Sequence, residues 1–221
     1  MKDSLSRLPA SRLSNEAVGV LTPDEKAKMI ARAAAKLDEL FEILQLDTKN
    51  DHNMQETPVR VARMLVEELM YGRYNAPPPV TEFENVERYD QLLVTGPIEV
   101  RSTCAHHLMP IVGQAFIGVL PSPDGKIIGL SKYDRIVHYF AARLQIQEEL
   151  VAQIGRFVME ATQPRGLAIR ISAAHLCRTH RGVRASLDSR MVNSAFYGEF
   201  LTDPNLKAAF LQEALALEEK G

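Results

Sequence analysis

Residues 113–120 read Gly113-Gln114-Ala115-Phe116-Ile117-Gly118-Val119-Leu120, and how this stretch is read decides the fold. Ala115, Ile117 and Val119 recur at every second position, so they share one face of a strand. The next residues, Pro121-Ser122-Pro123-Asp124-Gly125, have turn chemistry that suits a hairpin connection into Lys126-Ile127-Ile128-Gly129. Short β-type runs extend over residues 80–132, and a further strand is predicted over 166–177, where Leu167, Ile169, Ile171 and Ala173 alternate. Helical patterns flank these strands. Thr22-Pro23-Asp24-Glu25 supplies a capping residue, a proline for the first turn and a capping-box glutamate. Met29, Ala33, Leu37, Leu40, Phe41 and Leu44 then recur at helical spacing. A second helix starts near Thr57-Pro58 and uses Val61, Ala62, Leu65 and Leu69, and a proline-rich loop follows over 74–79. Two helices follow Lys132, the second with Ile146, Leu150, Ile154 and Phe157 on one side, and an amphipathic helix lies beyond Pro204. Helices around hairpin-connected strands predict an α+β fold with an antiparallel sheet.

The chain has 221 residues, 46% of them hydrophobic and 24% charged, which suits one domain with a substantial core. That domain is expected over 22–221, with a helical N-terminal region over 22–79 and the sheet-bearing core over 80–221. Residues 1–21 show no steady period and are expected to form a mobile arm. The formal charge of -2 offers no global excess of basic residues for a phosphate backbone, so no nucleic-acid partner is expected. No run approaches the ~18 apolar residues of a membrane span. The N-terminal residues lack the apolar segment of a secretory signal, so the cytoplasm is the expected compartment.

Cysteine is scarce, with 2 in the chain. One stands in Ser102-Thr103-Cys104-Ala105-His106-His107-Leu108-Met109-Pro110, three residues before His107. The other follows His175 by two, and strand alternation would put His175 and Cys177 on one face. A lone cysteine is ordinarily a small buried hydrophobe. Here both lie beside histidines, and this clustering points to a zinc site. A closed site would use Cys104, His107, His175 and Cys177; an open one would use three of them and leave a position for water. His106 is awkwardly placed to share the ion with its neighbour His107, which leaves it free as an acid or base. Lys132 and Arg135 fall near a strand-to-helix turn, where backbone N–H groups favour an anion, although solvated charges at a helix start look the same. Arg178, Arg181 and Arg184, with His180, form a second basic cluster after Cys177.

At this point the chain resembles the GTP cyclohydrolase I family. The resemblance rests on Glu56-Thr57-Pro58-Val59-Arg60-Val61-Ala62-Arg63-Met64, the 102–110 stretch, Ile128-Gly129-Leu130-Ser131-Lys132, the run 143–148 and Arg181-Gly182. It covers roughly residues 25 to 200, in order. It implies a tunnelling fold, an antiparallel sheet with helices on one face, assembled as a homodecamer of two pentamers with active sites at subunit contacts. It further implies zinc on Cys104, His107 and Cys177, with an activated water attacking C8 of GTP. His106 and His175 would handle protons, Ser131 would assist the ribose rearrangement, and Glu148 with Gln147 would hold the guanine edge. Lys132, Arg135, Arg181 and Arg60 from another subunit would bind the triphosphate. The products would be formate and 7,8-dihydroneopterin triphosphate, at the entry to pterin and folate biosynthesis.

Two departures stand out. The family usually carries glutamate where this chain has Ala105, removing a charge beside the site; losing such an outer carboxylate can cost about 10- to 100-fold in metal affinity or activity. After Arg181-Gly182 the family's threonine- and serine-rich strand is replaced by residues 183–194, with an expected slip of about one residue. These departures motivate two alternatives: a paralogue acting on another purine nucleotide, and a catalytically lapsed ring that binds a pterin or purine.

Overall fold

The structure, a computed structural model, describes residues 13–219. Most of the arm expected over 1–21 therefore lies outside the described residues. The chain divides into two compact units, one reaching Ala76 and one beginning at Pro77.

In the N-terminal unit, α1 spans Pro23–Ile43 and starts with the expected capping box. The Glu25 amide donates to Thr22 Oγ1 at 3.2 Å, and the Thr22 amide donates to the Glu25 carboxylate at 2.8 Å. Two of the orphan donors at the helix start are thereby satisfied. Helix α2, Thr57–Arg63, runs into a π-helical turn over Met64–Leu69, and the short α3 is Tyr71–Tyr74. Val18 and Leu21 are buried with Val66 and Tyr74 in a small core. Their amides donate to the carbonyls of Arg73 and Tyr74, each at 3.0 Å, so the chain just before α1 is tied to this unit.

The second unit contains β1 (Glu82–Glu84), β2 (Leu93–Cys104), β3 (Pro110–Leu120), β4 (Lys126–Ile128), α4 (Leu130–Ala141), β5 (Leu144–Gln145), α5 (Gln147–Thr162), β6 (Gly166–His175), α6 (Leu176–Thr179), β7 (Met191–Gly198) and α7 (Pro204–Glu218). Its main sheet has the order β5-β2-β3-β6-β7, with antiparallel pairs throughout except β2 and β5, which run parallel. The stretch 113–120 is the middle of the central strand β3. Its expected alternation holds: Ala115, Ile117 and Val119 face a core shared with Ile136 and Val137 of α4 and Leu150 and Ile154 of α5. Phe116 and Leu120 point the other way.

Three expectations change. Residues 126–128 do not return along β3, because both edges of β3 are already taken by β2 and β6; they pair with β1 in a separate two-stranded sheet. The strand predicted over 166–177 stops at His175, and residues 176–179 curl into the single turn α6, closed by the His180 amide donating to the Leu176 carbonyl at 2.9 Å. The helices α4 and α5 keep to one face, but α7 covers the other, where Phe210 and Ala214 pack with Phe116, Ala168 and Phe200. Among the described residues no helix is long and apolar enough to cross a membrane.

Phe210 is fully buried, with its ring edge-on to that of Phe200 at 6.1 Å between centroids. Phe210→Ala should therefore destabilise the protein by about 3–5 kcal/mol, read from the urea midpoint. A change below about 0.5 kcal/mol, as for a surface position, would contradict the packing of α7.

Candidate metal centre and proton-transfer site

The candidate site is built where β2, β3 and β6 end together. Register pairs Thr103 of β2 with Pro110 of β3, and Ile111 of β3 with His175 of β6. The six residues between the paired Thr103 and Pro110 therefore form a turn beside the last residue of β6. Within it the Cys104 amide donates to the Met109 carbonyl at 2.8 Å, and the Leu108 amide to the Cys104 carbonyl at 2.9 Å. Leu108 takes a positive φ of 54°, which lets so short a connection close. The Ala105 amide donates to the Gln145 carbonyl at 3.0 Å, pinning the turn to β5.

This framework gathers three donors. The thiols of Cys104 and Cys177 and an imidazole nitrogen of His107 lie within 4.8 Å of one another. Cys104 is buried, Cys177 half-buried and His107 exposed, so the group opens to solvent on the histidine side. Four-coordinate zinc, with bonds of about 2.0–2.3 Å, needs sulfur and nitrogen donors at this kind of mutual distance. The donor set fits such an ion. Cys177 arrives from the α6 turn and not by strand alternation, because the chain leaves the sheet immediately after His175.

His175 stands apart from this donor group. Its Nε2 lies 2.8 Å from Gln147 Oε1, and the closed four-ligand arrangement is not assembled among the described residues. Burial lowers the pKa of the His175 imidazole, opposed by the nearby Glu148 carboxylate and reinforced by Arg178. Burial also pushes the Cys177 thiol up, and the adjacent Cys104 thiol adds to the effect, while Arg181 opposes it. Metal ions bind thiolates, so occupation of the site would release protons. His106 is exposed, with Nδ1 3.9 Å from Cys104 Sγ.

The other expected residues divide by location. Glu148 is exposed at the start of α5, beside the fully buried Gln147. The Gln147 amide makes its hydrogen bonds inside the protein, to Ile171, Met191, Asn193 and His175, which differs from the substrate-facing role expected of its side chain. Ser131 and Arg135 are exposed on the first turns of α4, and Lys132 there donates to the Pro79 carbonyl at 3.2 Å. Gly129 caps that helix without a side-chain oxygen. Arg181 is exposed just after α6. Arg60 belongs to α2 of the N-terminal unit, where it donates to Glu56 at 3.2 Å.

Sequence reading missed Asn193, which contacts Gln147 from β7. Its signal was present in the two-residue period: Asn193 shares a face with Ala195 and Tyr197, both packed against the main core. Beyond the segment that departs from the family pattern, β7 pairs with β6 without interruption from Gly166↔Gly198 to Ala173↔Met191.

A sequence model of GTP cyclohydrolase I matches residues 33–215. The chain belongs to the GTP cyclohydrolase I family. GTP cyclohydrolase 1 of Flavobacterium johnsoniae is 38% identical over 192 residues, covering 86% of this chain and 82% of that protein. The Streptomyces avermitilis protein of that name is 40% identical over 164 residues, 74% of this chain and 78% of its own. The Sulfolobus acidocaldarius one is 34% identical over 188 residues, 82% and 88% respectively. The archaeosine synthase QueF-Like in its apo form overlays 50% of this chain and 94% of its own at a TM-score of 0.38 and 14% identity, too distant to carry an argument. Family membership assigns the α+β core to the tunnelling fold.

Removing one thiol should dismantle the donor group. Cys177→Ala is expected to lose bound zinc and turnover together, read by elemental analysis of the purified protein beside an activity assay. Full activity without metal would rule out a metal role for this cluster.

Proposed function

We propose that this chain is a zinc-dependent GTP cyclohydrolase I, converting GTP and water to 7,8-dihydroneopterin triphosphate and formate. The observation that carries the reading is the convergence of Cys104, His107 and Cys177 within 4.8 Å in a chain of this family. Zinc held by these residues would supply a Lewis acid that makes water nucleophilic near neutral pH. The remaining work falls to the protein's own groups. Glu148, exposed beside His175, accepts paired hydrogen bonds from the guanine N1–H and 2-amino group. That contact fixes the base with its imidazole ring toward the histidines. His175 and His106 hold and return protons at the purine ring nitrogens while the C–N bonds of the imidazole open, and formate leaves. Ser131 assists the ribose rearrangement.

Lys132, Arg135 and Arg181 bind the triphosphate. The N-terminus of α4, which has no side-chain cap, supports this assignment for the first two, since the positive end of a helix and a cationic side chain act on an anion together. Arg60 from another subunit completes the pocket, in an assembly of two pentamers. The compartment is the cytoplasm. Ala105 replaces the family's glutamate in a turn held by backbone hydrogen bonds, so the loss touches charge near the site more than its geometry.

Zinc-loaded protein incubated with GTP should release formate and yield neopterin fluorescence after oxidation and dephosphorylation, whereas ATP should yield neither. No product from GTP would redirect the assignment to another purine nucleotide or to a ligand-binding paralogue. Glu148→Gln is expected to raise the KM for GTP by about tenfold or more, through loss of a charged hydrogen bond. Unchanged KM and turnover would remove Glu148 from base recognition.

A further inference from the structure

Gln147 is the first residue of α5 and is 0% exposed. Its amide nitrogen lies 3.2 Å from the Ile171 carbonyl oxygen, 3.1 Å from that of Met191 and 2.7 Å from Asn193 Oδ1. An amide side chain is often ambiguous, because its oxygen and nitrogen can be exchanged without changing its shape. Here the exchange is forbidden. Two of the facing groups are backbone carbonyls, which only accept, so the NH2 end must face them. Reversal would set an oxygen against two carbonyl oxygens at a site without solvent.

With that end fixed, Gln147 Oε1 is the atom that meets His175 Nε2 at 2.8 Å. A carbonyl oxygen only accepts, so His175 Nε2 must carry the hydrogen. In a neutral imidazole the second nitrogen then holds the lone pair. We infer that Gln147 is a positioning residue that holds His175 as its Nε2–H tautomer, so that every proton His175 exchanges with the substrate passes through Nδ1. The bond to Gln147 engages Nε2 and leaves Nδ1 as the ring nitrogen that Gln147 does not hold. The anchor draws on β6 through Ile171 and on β7 through Met191 and Asn193, so ring orientation depends on strands that do not touch substrate. The inference rests on His175 being a proton-transfer group.

Solid-state NMR on zinc-loaded protein labelled with 15N-histidine, at pH 8 where imidazole is ordinarily neutral, reads the tautomer directly. The His175 signals are assigned by their loss in His175→Asn. Wild-type protein should show a protonated Nε2 and an unprotonated Nδ1. Gln147→Leu should give mixed tautomers and a kcat lower by about 10²-fold, with a much smaller change in the KM for GTP. An Nδ1–H signal in the wild type would overturn the inference, as would a zinc-replete Gln147→Leu with unchanged tautomer and turnover. The wild-type spectrum decides even if the variant does not fold. The two readings fail separately: no formate from the wild type overturns the enzymatic one, whereas formate together with an Nδ1–H spectrum overturns only the role of Gln147.

Discussion

The register of β2, β3 and β6 is the constraint on which the rest of this structure depends. Side chains alternate with a period of two, so a one-residue slip along either side of β3 would exchange its buried faces. Ala115 and Ile117 would lose α4 and α5, and Phe116 would lose α7. Because both faces are covered, this register is strongly specified by burial. The same register sets Thr103 against Pro110 and Ile111 against His175, which brings the 104–109 turn to the end of β6. Core packing and donor geometry are therefore one constraint seen at two ends of the sheet.

Much of this was legible in the sequence, for reasons that differ by residue. The start of α1 was readable because Thr22 and Glu25 act locally, within one turn. The alternation in β3 was readable because its pattern follows from burial. The partner of residues 126–128 was not, since it depends on which sheet edges remain open, and that is settled by distant β2 and β6. The one-face arrangement of helices failed in the same way. Phe116 reads as the polar-side position of a strand with one covered face, and packing with Phe210 of α7 and with Phe200 makes it interior.

The site shows a similar division. Spacing grouped Cys104 with His107, but strand periodicity misdescribed the route by which Cys177 joins them. A helical turn, and not alternation, carries Cys177 to the donor group, and it also separates Cys177 from His175. A proton-transfer role for His175 was expected from resemblance alone. Its partner Gln147 was assigned by adjacency to Glu148, yet neighbouring residues at a helix start face different surroundings. Glu148 meets solvent, whereas Gln147 is turned into the space between α5, β6 and β7.

Zinc K-edge X-ray absorption of the zinc-loaded protein tests the central claim most directly, that strand register assembles Cys104, His107 and Cys177 as one metal centre. The account requires two sulfur neighbours at about 2.3 Å and nitrogen or oxygen neighbours at about 2.0–2.1 Å. A shell without sulfur, or with a single sulfur, would contradict it, because the two thiols would then not meet on one ion.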